Sequence, residues 1–280
     1  MTRFSTQFRT VRTAAVAALA MVATTLAAQA APWAARHGMT SGQYQSAFDH
    51  FTSKGYRLTD VSAYSVNGQA RYAAIWEKTG GPAWVARHGL GANAYQSTFN
   101  SLTAKGYAPA FLDGMGQGQH GTFAAFWQKG GAPWVARHGM TSAKYQDEFN
   151  KWVNKGYRLV DVSGYDVNGK AHYAAIWKKT GGGAWKARHG MTAAKYQDAF
   201  NAYKAQGYKP MHVDAYTVNG TPYFAAIWQK QGGAYVARHG MSSAKYQAEF
   251  DKWLSKGYRL VDVSGYSAGG QARYAAIWHK

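Results

Sequence analysis

The sequence predicts an α+β repeat protein built from five similar units, each with one helix and about three antiparallel strands. Arg-His-Gly recurs five times at spacings of 50 or 51 residues, and each copy lies in a similar template of about 50 residues. Within each template a helix-type apolar pattern precedes two strand-type patterns. A fixed period of this size is typical of supersecondary units that bury their apolar faces against neighbours. The predicted repeats are 31–81, 82–131, 132–182, 183–233 and 234–280.

The first 30 residues do not follow the repeat. Arg3, Arg9 and Arg12 form a basic start, an apolar stretch runs from Ala14 to Ala27, and Ala28-Gln29-Ala30 is a small-residue cleavage motif. This order predicts a secretory signal peptide at 1–30, cleaved near Ala30, and hence an extracellular or periplasmic protein. No later stretch reaches the 18 apolar residues of a membrane-spanning helix, so no transmembrane segment is predicted.

The chain is strongly basic and contains no cysteine. Its formal net charge is +19, and without the leader 29 Lys and Arg face 13 acids, which leaves +16. This balance favours anionic partners such as phosphate-rich wall polymers, acidic polysaccharide or a membrane surface, although it is also compatible with a role in solubility alone. The lysines are scattered without a basic tail, so nucleic acid is not the expected partner. Without disulfides or a lipid-anchor cysteine, the 250 residues after the leader must form their own apolar core.

Each helix is predicted from its cap, its stripe and its stop. In the first repeat Thr40 and Gln43 form a capping-box pattern at the helix start. Apolar residues then recur at i, i+4 and i+7, at Tyr44, Phe48 and Phe51. Gly55 ends the pattern, as expected for a helix that closes with a left-handed glycine.

Two longer strands and a short one complete the unit. Tyr56–Val66 alternates in the manner of a strand, and Asn67-Gly68 predicts a type I′ hairpin turn. The return strand, Arg71–Lys78, carries apolar residues on both faces, which indicates that both faces are covered. Trp84–Arg87 then predicts a short third strand that leads into His-Gly and the next helix.

The repeats alternate between two types. Repeats 1, 3 and 5 place an acid in Asp-Val-Ser, at Asp60, Asp161 and Asp262. Repeats 2 and 4 place Phe111 and His212 at that position and carry the acid two residues later, at Asp113 and Asp214. A shift of two residues keeps a side chain on the same face of a strand. The pattern therefore predicts one carboxylate per repeat on a common face.

The overall arrangement is predicted as a closed, propeller-like ring, with an open stack as the alternative. Open stacks need terminal units with polar outer faces. Repeats 1 and 5 resemble the inner repeats, which favours closure. Against closure, an odd number of units would place two repeats of the same type side by side.

Two sets of repeated polar residues are candidate binding residues. The first set is the Arg-His pair of each tripeptide: Arg36, His37, Arg87, His88, Arg137, His138, Arg188, His189, Arg238 and His239. These pairs either bind a ligand or tie repeats together, by bonds to backbone or to the strand Asp of a neighbour. The second set is the Gln after each helix Tyr, for either a buried polar contact or a ligand: Gln45, Gln96, Gln146, Gln197 and Gln247. The glycine of the tripeptide is expected to take a conformation that other residues resist.

Catalytic and metal chemistry finds little support in the sequence. Arg-His-Gly before a helix also occurs in histidine phosphatases, but the large α/β domain and the second histidine have no place in a 50-residue unit. Ser242 to Lys245 matches S-x-x-K, although the same positions in the other repeats predict a helix cap. Asp60, Ser62 and His37 do not make a triad, because Asp and Ser two apart on a strand point the same way. No metal-ligand spacing occurs, and no cofactor is predicted.

Several motifs resemble one known family. W-V-A-R-H-G-M, Y-Q-x-x-F, K-G-Y-R-L-V-D-V-S-G-Y and Y-A-A-I-W, in this order, resemble the bacterial tandem repeat domain. The same repeat forms the N-terminal region of polyglycine hydrolases, which cut Gly-Gly bonds with a β-lactamase-like C-terminal domain. This sequence ends at Lys280 without that domain, so the resemblance implies the role of the repeat alone.

The preferred function is a secreted, non-catalytic module that binds a repetitive or anionic extracellular polymer: a cell-wall glycan, a polysaccharide or a glycine-rich peptide. Five similar sites gain avidity on a repetitive partner. The alternatives are a secreted hydrolase related to the polyglycine hydrolases and a purely structural envelope protein. Most tryptophans are expected in the core, and any that face a groove could stack on sugar rings or bases. The oligomeric state is left open.

Overall fold

The computed structural model describes residues 32–117 and 120–280, so the predicted signal peptide lies outside the described residues. Each repeat is a strand, a helix and two further strands. Repeats 1 and 2 comprise β1 (Trp33–Met39), α1 (Ser41–Ser53), β2 (Arg57–Val66), β3 (Gln69–Glu77), β4 (Trp84–Gly91), α2 (Ala92–Ala104), β5 (Tyr107–Gln117) and β6 (His120–Lys129). Repeats 3 and 4 comprise β7 (Trp134–Thr141), α3 (Ser142–Asn154), β8 (Arg158–Val167), β9 (Lys170–Lys178), β10 (Trp185–Met191), α4 (Ala193–Ala205), β11 (Tyr208–Val218) and β12 (Thr221–Lys230). Repeat 5 comprises β13 (Tyr235–Met241), α5 (Ser243–Ser255), β14 (Arg259–Ala268) and β15 (Gln271–His279).

Each repeat forms its own three-stranded antiparallel sheet, and the five sheets remain separate. The strand order is β1-β3-β2 in repeat 1 and is the same in the other four. The return strand therefore lies in the middle, and its residues from Tyr72 to Trp76 are at most 1 % exposed. This confirms the expectation, from apolar residues on both faces, that this strand is covered on both sides.

The helix ends follow the predicted capping. The Thr40 side chain accepts a hydrogen bond from the Gln43 N–H, and the Gln43 side chain accepts one from the Thr40 N–H, so the capping box is confirmed. At the other end Gly55 has φ +79°, and the Tyr56 N–H donates to the Phe51 carbonyl at 3.0 Å. These bonds satisfy backbone groups that the helix itself leaves unpaired.

The hairpin turn is as predicted, whereas the short strand is longer than predicted. Asn67 and Gly68 have φ of 50° and 75°, the two positive values of a type I′ turn. The strand β4, predicted to end at Arg87, continues to Gly91 because a bulge at His-Gly lets pairing resume at Leu90. Gly38, the glycine of the equivalent bulge in repeat 1, has φ +67°, which confirms that it takes a conformation other residues resist.

Neighbouring repeats meet along their second strands through side-chain acceptors. Between repeats 2 and 3, the Asp161 carboxylate accepts the Leu112 N–H at 2.8 Å and the Ser163 hydroxyl accepts the Gly114 N–H at 2.9 Å. In repeat 2 the acid occupies the position of that serine, and Asp113 accepts the Ala63 N–H of repeat 1 at 2.5 Å. The two-residue shift of the acid therefore moves the carboxylate from one backbone donor of the preceding repeat to the next.

Repeats 5 and 1 contact each other in the same way. The Val263 N–H donates to the Asp60 carboxylate at 2.9 Å, and the Gly265 N–H donates to the Ser62 hydroxyl at 3.0 Å. These donors and acceptors occupy the same positions as those between repeats 2 and 3. Because the donors are backbone groups, the contact does not require the two repeats to differ in type.

The five strand carboxylates are all buried, and His212 lies among them. Its Nδ1 is 2.9 Å from Asp262, its Nε2 is 2.9 Å from the Val162 carbonyl, and its ring centroid is 6.0 Å from that of Phe111. Burial lowers the pKa of His212, but the carboxylates of Asp262 and Asp161 outweigh it and hold that pKa well above its ordinary value. Burial raises the pKa of Asp161 to about 7.

No helix among the described residues is long and apolar enough to cross a membrane.

Candidate binding site

The histidine of each tripeptide packs against the helix of the preceding repeat. His88 lies edge-on to Tyr44, with ring centroids 4.7 Å apart, and edge-on to Tyr72 at 5.3 Å. The equivalent contacts of the first repeat, between His37 and Tyr246, cross from repeat 1 to repeat 5. Burial lowers the pKa of all five histidines, so at neutral pH they are uncharged hydrogen-bonding groups.

The hydrogen-bond partner of these histidines depends on the first residue of the preceding helix. Where that residue is Ser41 or Ser142, the His Nε2 lies beside its hydroxyl, as in the 3.2 Å contact of His88 with Ser41. The hydroxyl of Ser243, which begins the helix beside His37, donates instead to the Tyr274 hydroxyl at 3.5 Å. Where the first helix residue is Ala, the His Nε2 lies beside the helix Gln instead, as in the 2.9 Å contact of His138 with Gln96. The tie between repeats that the sequence predicts for the Arg-His pair is therefore made by the histidine.

The arginines do not make the predicted bond to the strand Asp of a neighbour. Arg87 donates to the carbonyl of Ala86, and Arg36 donates to the carbonyl of Ala35 and stacks over Phe51 of its own helix at 5.4 Å. Within one repeat the arginine is on the outer strand, and the middle strand separates it from the strand that carries the Asp. The Asp carboxylates of the neighbouring repeats are buried and accept backbone N–H groups, as Asp161 does from Leu112. All five arginines are exposed.

The five arginines differ in charge environment. Glu148 of the same repeat lies 3.5 Å from Arg137, and Glu249 lies 3.6 Å from Arg238. Arg188 donates instead to the Tyr203 hydroxyl at 2.8 Å. Within residues 32–117 and 120–280 no carboxylate pairs with the arginines of repeats 1, 2 and 4. Two of the five arginines thus have a carboxylate nearby, although each of these carboxylates is shared with two lysines, such as Lys144 and Lys151 at Glu148.

The glutamines are exposed, so the expectation of a buried polar contact is wrong. Each Gln side chain donates to the Asp or Asn one helical turn later, as from Gln45 to Asp49 at 2.8 Å and from Gln96 to Asn100 at 2.8 Å. The residue before each Gln is the buried helix Tyr, and the next position of a helix points away from the core. The remaining expectation, a ligand, stays a prediction.

Candidate residues of both sets line grooves between repeats. A groove of about 450 Å³ lies between α5 and β1, one of about 250 Å³ between α1 and β4, and one of about 410 Å³ between α2 and β7. In each, the Arg-His pair comes from one repeat, and the Tyr, Gln and Phe come from the helix of the preceding repeat. In repeat 4 the pair Arg188-His189 lines a different groove, of about 580 Å³, against its own helix.

Aromatic side chains form the walls of these grooves, and sequence reasoning assigned them mostly to the core. Trp33 packs edge-on to Phe250 at 5.7 Å, and Trp134 packs edge-on to Phe99 at 5.6 Å. Both tryptophans are half-buried, whereas the return-strand tryptophans are fully buried, as in Trp76. The signal that separates the two groups is strand position, because the half-buried set begins the outer strand of each sheet.

The catalytic constellations do not assemble among the described residues. The Ser242 side chain accepts the Lys245 N–H at 3.2 Å, so S-x-x-K is a helix cap, as predicted. Ser62 and Asp60 accept backbone donors of repeat 5, and His37 packs on tyrosines of that repeat. No group of three or more His, Asp or Glu in the described ranges is arranged to hold a metal ion.

These features define a class, a tandem repeat of strand-helix-strand-strand units joined by buried carboxylates and by histidines packed on a neighbouring helix. The polyglycine hydrolase-like structural repeat matches residues 30–79, 81–130, 131–180, 182–231 and 232–280. The chain therefore belongs to that repeat family. A search of curated proteins finds no match.

Proposed function

We propose that the five repeats close into a propeller-like ring. The support is the contact between repeats 5 and 1, which uses the same backbone donors and side-chain acceptors as the inner contacts. One cavity of about 50 Å³ is lined by the second strands of all five repeats. Arg259 of repeat 5 stacks over Trp33 of repeat 1 at 5.8 Å and lies 2.5 Å from Glu77, which adds an ion pair to this contact.

We also propose that the protein is an exported, non-catalytic module that recognises a repetitive extracellular polymer through the grooves between repeats. The observation that carries this proposal is that the same residue types line three grooves at equivalent places. A polymer with a short chemical repeat would engage several grooves at once, and the second contact then occurs at high effective concentration. Export is supported by the leader at 1–30 alone.

The groove chemistry suits a polar, extended chain such as a cell-wall glycan, a polysaccharide or a glycine-rich peptide. An exposed Gln supplies both a donor and an acceptor, and the half-buried His supplies a neutral ring nitrogen. Half-buried Trp and Phe edges offer an apolar wall against a sugar face or a peptide backbone. The arginine at the rim adds a positive charge, which favours an anionic polymer where no Glu pairs with it.

Retention on immobilised polymers tests the groove proposal. The protein without residues 1–30 would be applied to peptidoglycan, chitin, acidic polysaccharide and a glycine-rich peptide. A triple variant would replace the groove glutamines Gln45, Gln96 and Gln247 by Ala. We expect retention on one of the four materials and its loss in this variant, because three exposed groove side chains are removed. In the part of the chain that the structure describes, only Gln96 of the three also bonds the histidine of the next repeat, His138, and a melting curve establishes that the variant is folded.

A matched control separates the groove from the helix surface. Replacing Asp49, Asn100 and Asp251 by Ala breaks the same Gln-to-Asp or Gln-to-Asn bonds but leaves the glutamines in place. Loss of the two Asp side chains also raises the net charge of the control variant by two, and a higher positive charge cannot by itself weaken binding to an anion. Equal loss in both variants, or no retention on any of the four materials, would contradict recognition through the grooves.

A further inference from the structure

One end of the molecule collects most of the exposed lysines. The contacts between second strands pair successive positions in the same order, as in Leu112 with Asp161 and Gly114 with Ser163, so these strands run in the same direction. Their starts therefore share one end of the repeat array, and the hairpin turns lie at the other. Antiparallel pairing brings the end of the return strand to the same place, as in the pairing of Arg57 with Glu77.

Two lysines per repeat lie at this end in four of the five repeats. One is the residue at the helix C-cap, and the other is the last residue of the return strand or the residue that follows it. The nine are Lys54, Lys78, Lys105, Lys129, Lys155, Lys179, Lys230, Lys256 and Lys280, and all are exposed. We call this set the lysine face.

The acids of the chain lie elsewhere, with one exception. Five are the buried strand carboxylates, six lie within helices, and Asp166 lies at the hairpin end. The exception, Glu77, is 2.5 Å from Arg259 and is thereby paired. The lysine face and Glu77 together carry a charge of +8, half of the net charge of +16 outside the leader, on one end of the repeat array. Such a field attracts anionic partners over about one Debye length, roughly 8–10 Å.

A local structural role accounts for only part of this pattern. The Lys129 ammonium donates to the Lys105 carbonyl at the end of α2, where a cation also opposes the helix dipole. Lys78 and Lys280 lie over Tyr56 and Tyr258, at 5.9 and 5.5 Å from the ring centroids. The C-cap lysines Lys155 and Lys256 likewise lie over Trp152 and Trp253, at 5.1 and 5.2 Å from the ring centroids. A lysine over a ring keeps its positive charge, so the clustered ammonium groups still repel one another, and a bound anion would relieve that repulsion.

We propose that the lysine face docks a linear polymer of repeated phosphate groups that lacks aromatic bases. Lysine ammonium groups act as point charges on phosphate, and their repetition around five repeats matches a partner with regularly repeated charges. A bilayer is disfavoured because only Val160 and Leu254 are large apolar side chains exposed by more than about a third among the described residues, and they lie in different repeats. Nucleic acid is disfavoured because none of the described tyrosines at the start of a second strand offers a free ring for base stacking: Tyr56, Tyr107 and Tyr258 lie under lysines, Tyr157 packs edge-on against Trp152, and Tyr208 is buried.

Binding of long-chain inorganic polyphosphate at several salt concentrations tests this surface. One variant replaces Lys78, Lys129, Lys179 and Lys230 by Gln, and a second replaces Lys54, Lys105, Lys155 and Lys256 by Gln. The control replaces four exposed lysines nearer the hairpin end by Gln: Lys144, Lys170, Lys195 and Lys245. All three variants lose four charges. For each lysine that engages a phosphate, the slope of log K against log salt becomes shallower by about 0.7.

We expect the two lysine-face variants to bind polyphosphate at least about tenfold more weakly than the natural sequence at 100 mM salt, with a shallower salt dependence. The control variant should keep most of the affinity. Equal weakening in all three variants would mean that binding depends on net charge alone, and this would overturn the proposal. Tighter binding to anionic vesicles or to single-stranded DNA than to polyphosphate would also overturn it. The groove variant with Gln45, Gln96 and Gln247 replaced should bind polyphosphate normally, so the two proposals fail independently. A melting curve of each variant establishes that it is folded.

Discussion

Replacement of Gly265 by Val tests the contact between repeats 5 and 1. A Cβ atom at Gly265 would lie 2.3 Å from a ring carbon of Tyr64 in repeat 1, well inside van der Waals contact. No positive φ restricts this glycine, so its backbone accepts Val, and in an uncovered strand Val would be stabilising by a few tenths of a kcal/mol. Whether Gly265→Val raises or lowers stability therefore depends only on the space between this residue and the Tyr64 ring.

The expected cost follows from packing. Forcing extra carbon atoms into a close-packed contact costs about 1–3 kcal/mol. In a domain of this size each kcal/mol lowers the melting temperature by about 2–4 °C. We therefore expect Gly265→Val to lower it by about 2–12 °C, as measured by circular dichroism and by urea unfolding.

Gly164→Val is the matched control at an inner contact. A Cβ atom at Gly164 would also lie 2.3 Å from a ring carbon, that of Tyr216 in repeat 4. The two tyrosines are held alike: Tyr64 bonds to Tyr274 at 2.7 Å, and Tyr216 bonds to Tyr173 at 2.6 Å. In a closed ring the two variants lose similar stability. If Gly265→Val melts like the natural sequence while Gly164→Val does not, repeats 5 and 1 are apart and the ring is refuted.

Three further predictions concern charge. Gln128 in repeat 2 occupies the position of Glu77 in repeat 1, so Gln128→Glu places a carboxylate beside Arg57 as Glu77 lies beside Arg259. We expect this variant to be more stable by about 0.5–1 kcal/mol. In the presence of Arg57→Gln the same replacement should leave the stability unchanged. Because burial raises the pKa of Asp161 to about 7, the folded state binds a proton at this carboxylate more tightly than the unfolded state does. Stability should therefore fall as pH rises from about 4 to about 7, and Asp161→Asn should make the fall in melting temperature smaller; the rest comes from Asp60, Asp113 and Asp214, whose pKa values burial also raises. On an anionic polymer Arg87→Gln should weaken binding more than Arg137→Gln, because the Arg137 guanidinium already lies 3.5 Å from Glu148, a carboxylate that it shares with two lysines; equal losses would contradict this reasoning.

Local elements could be predicted from the sequence because their signals lie within a few residues. The capping box at Thr40 and the positive-φ pair at Asn67-Gly68 each act over four residues or fewer, and the structure has both. The apolar pattern of the return strand likewise predicted a strand covered on both faces. The extent of the outer strand was underestimated, because the bulge at His-Gly that lets pairing resume depends on a strand more than 30 residues away.

The partners of the candidate site residues were harder to predict. The sequence suggested that the Arg-His pair bonds backbone or the strand Asp of a neighbouring repeat, but Arg36 and Arg87 donate to the carbonyl of the residue before them. The carboxylates bind backbone N–H groups of the preceding repeat instead, which leave no trace in a sequence because every residue except proline has one. The glutamines were expected to be buried or to bind a ligand, and their exposure excludes only the first.

The sequence by itself determined the repeat, its two alternating types and the composition of each unit, because period and spacing are properties of the chain. Only the tertiary structure decided what the repeated residues do, since that depends on which groups lie across an interface. Arg-His-Gly is a bulged strand whose histidine packs on the preceding helix, and the shifted acid exchanges one backbone donor for the next. The distribution of charge belongs to the same category: lysines far apart in the chain meet at one end because parallel contacts align all five repeats.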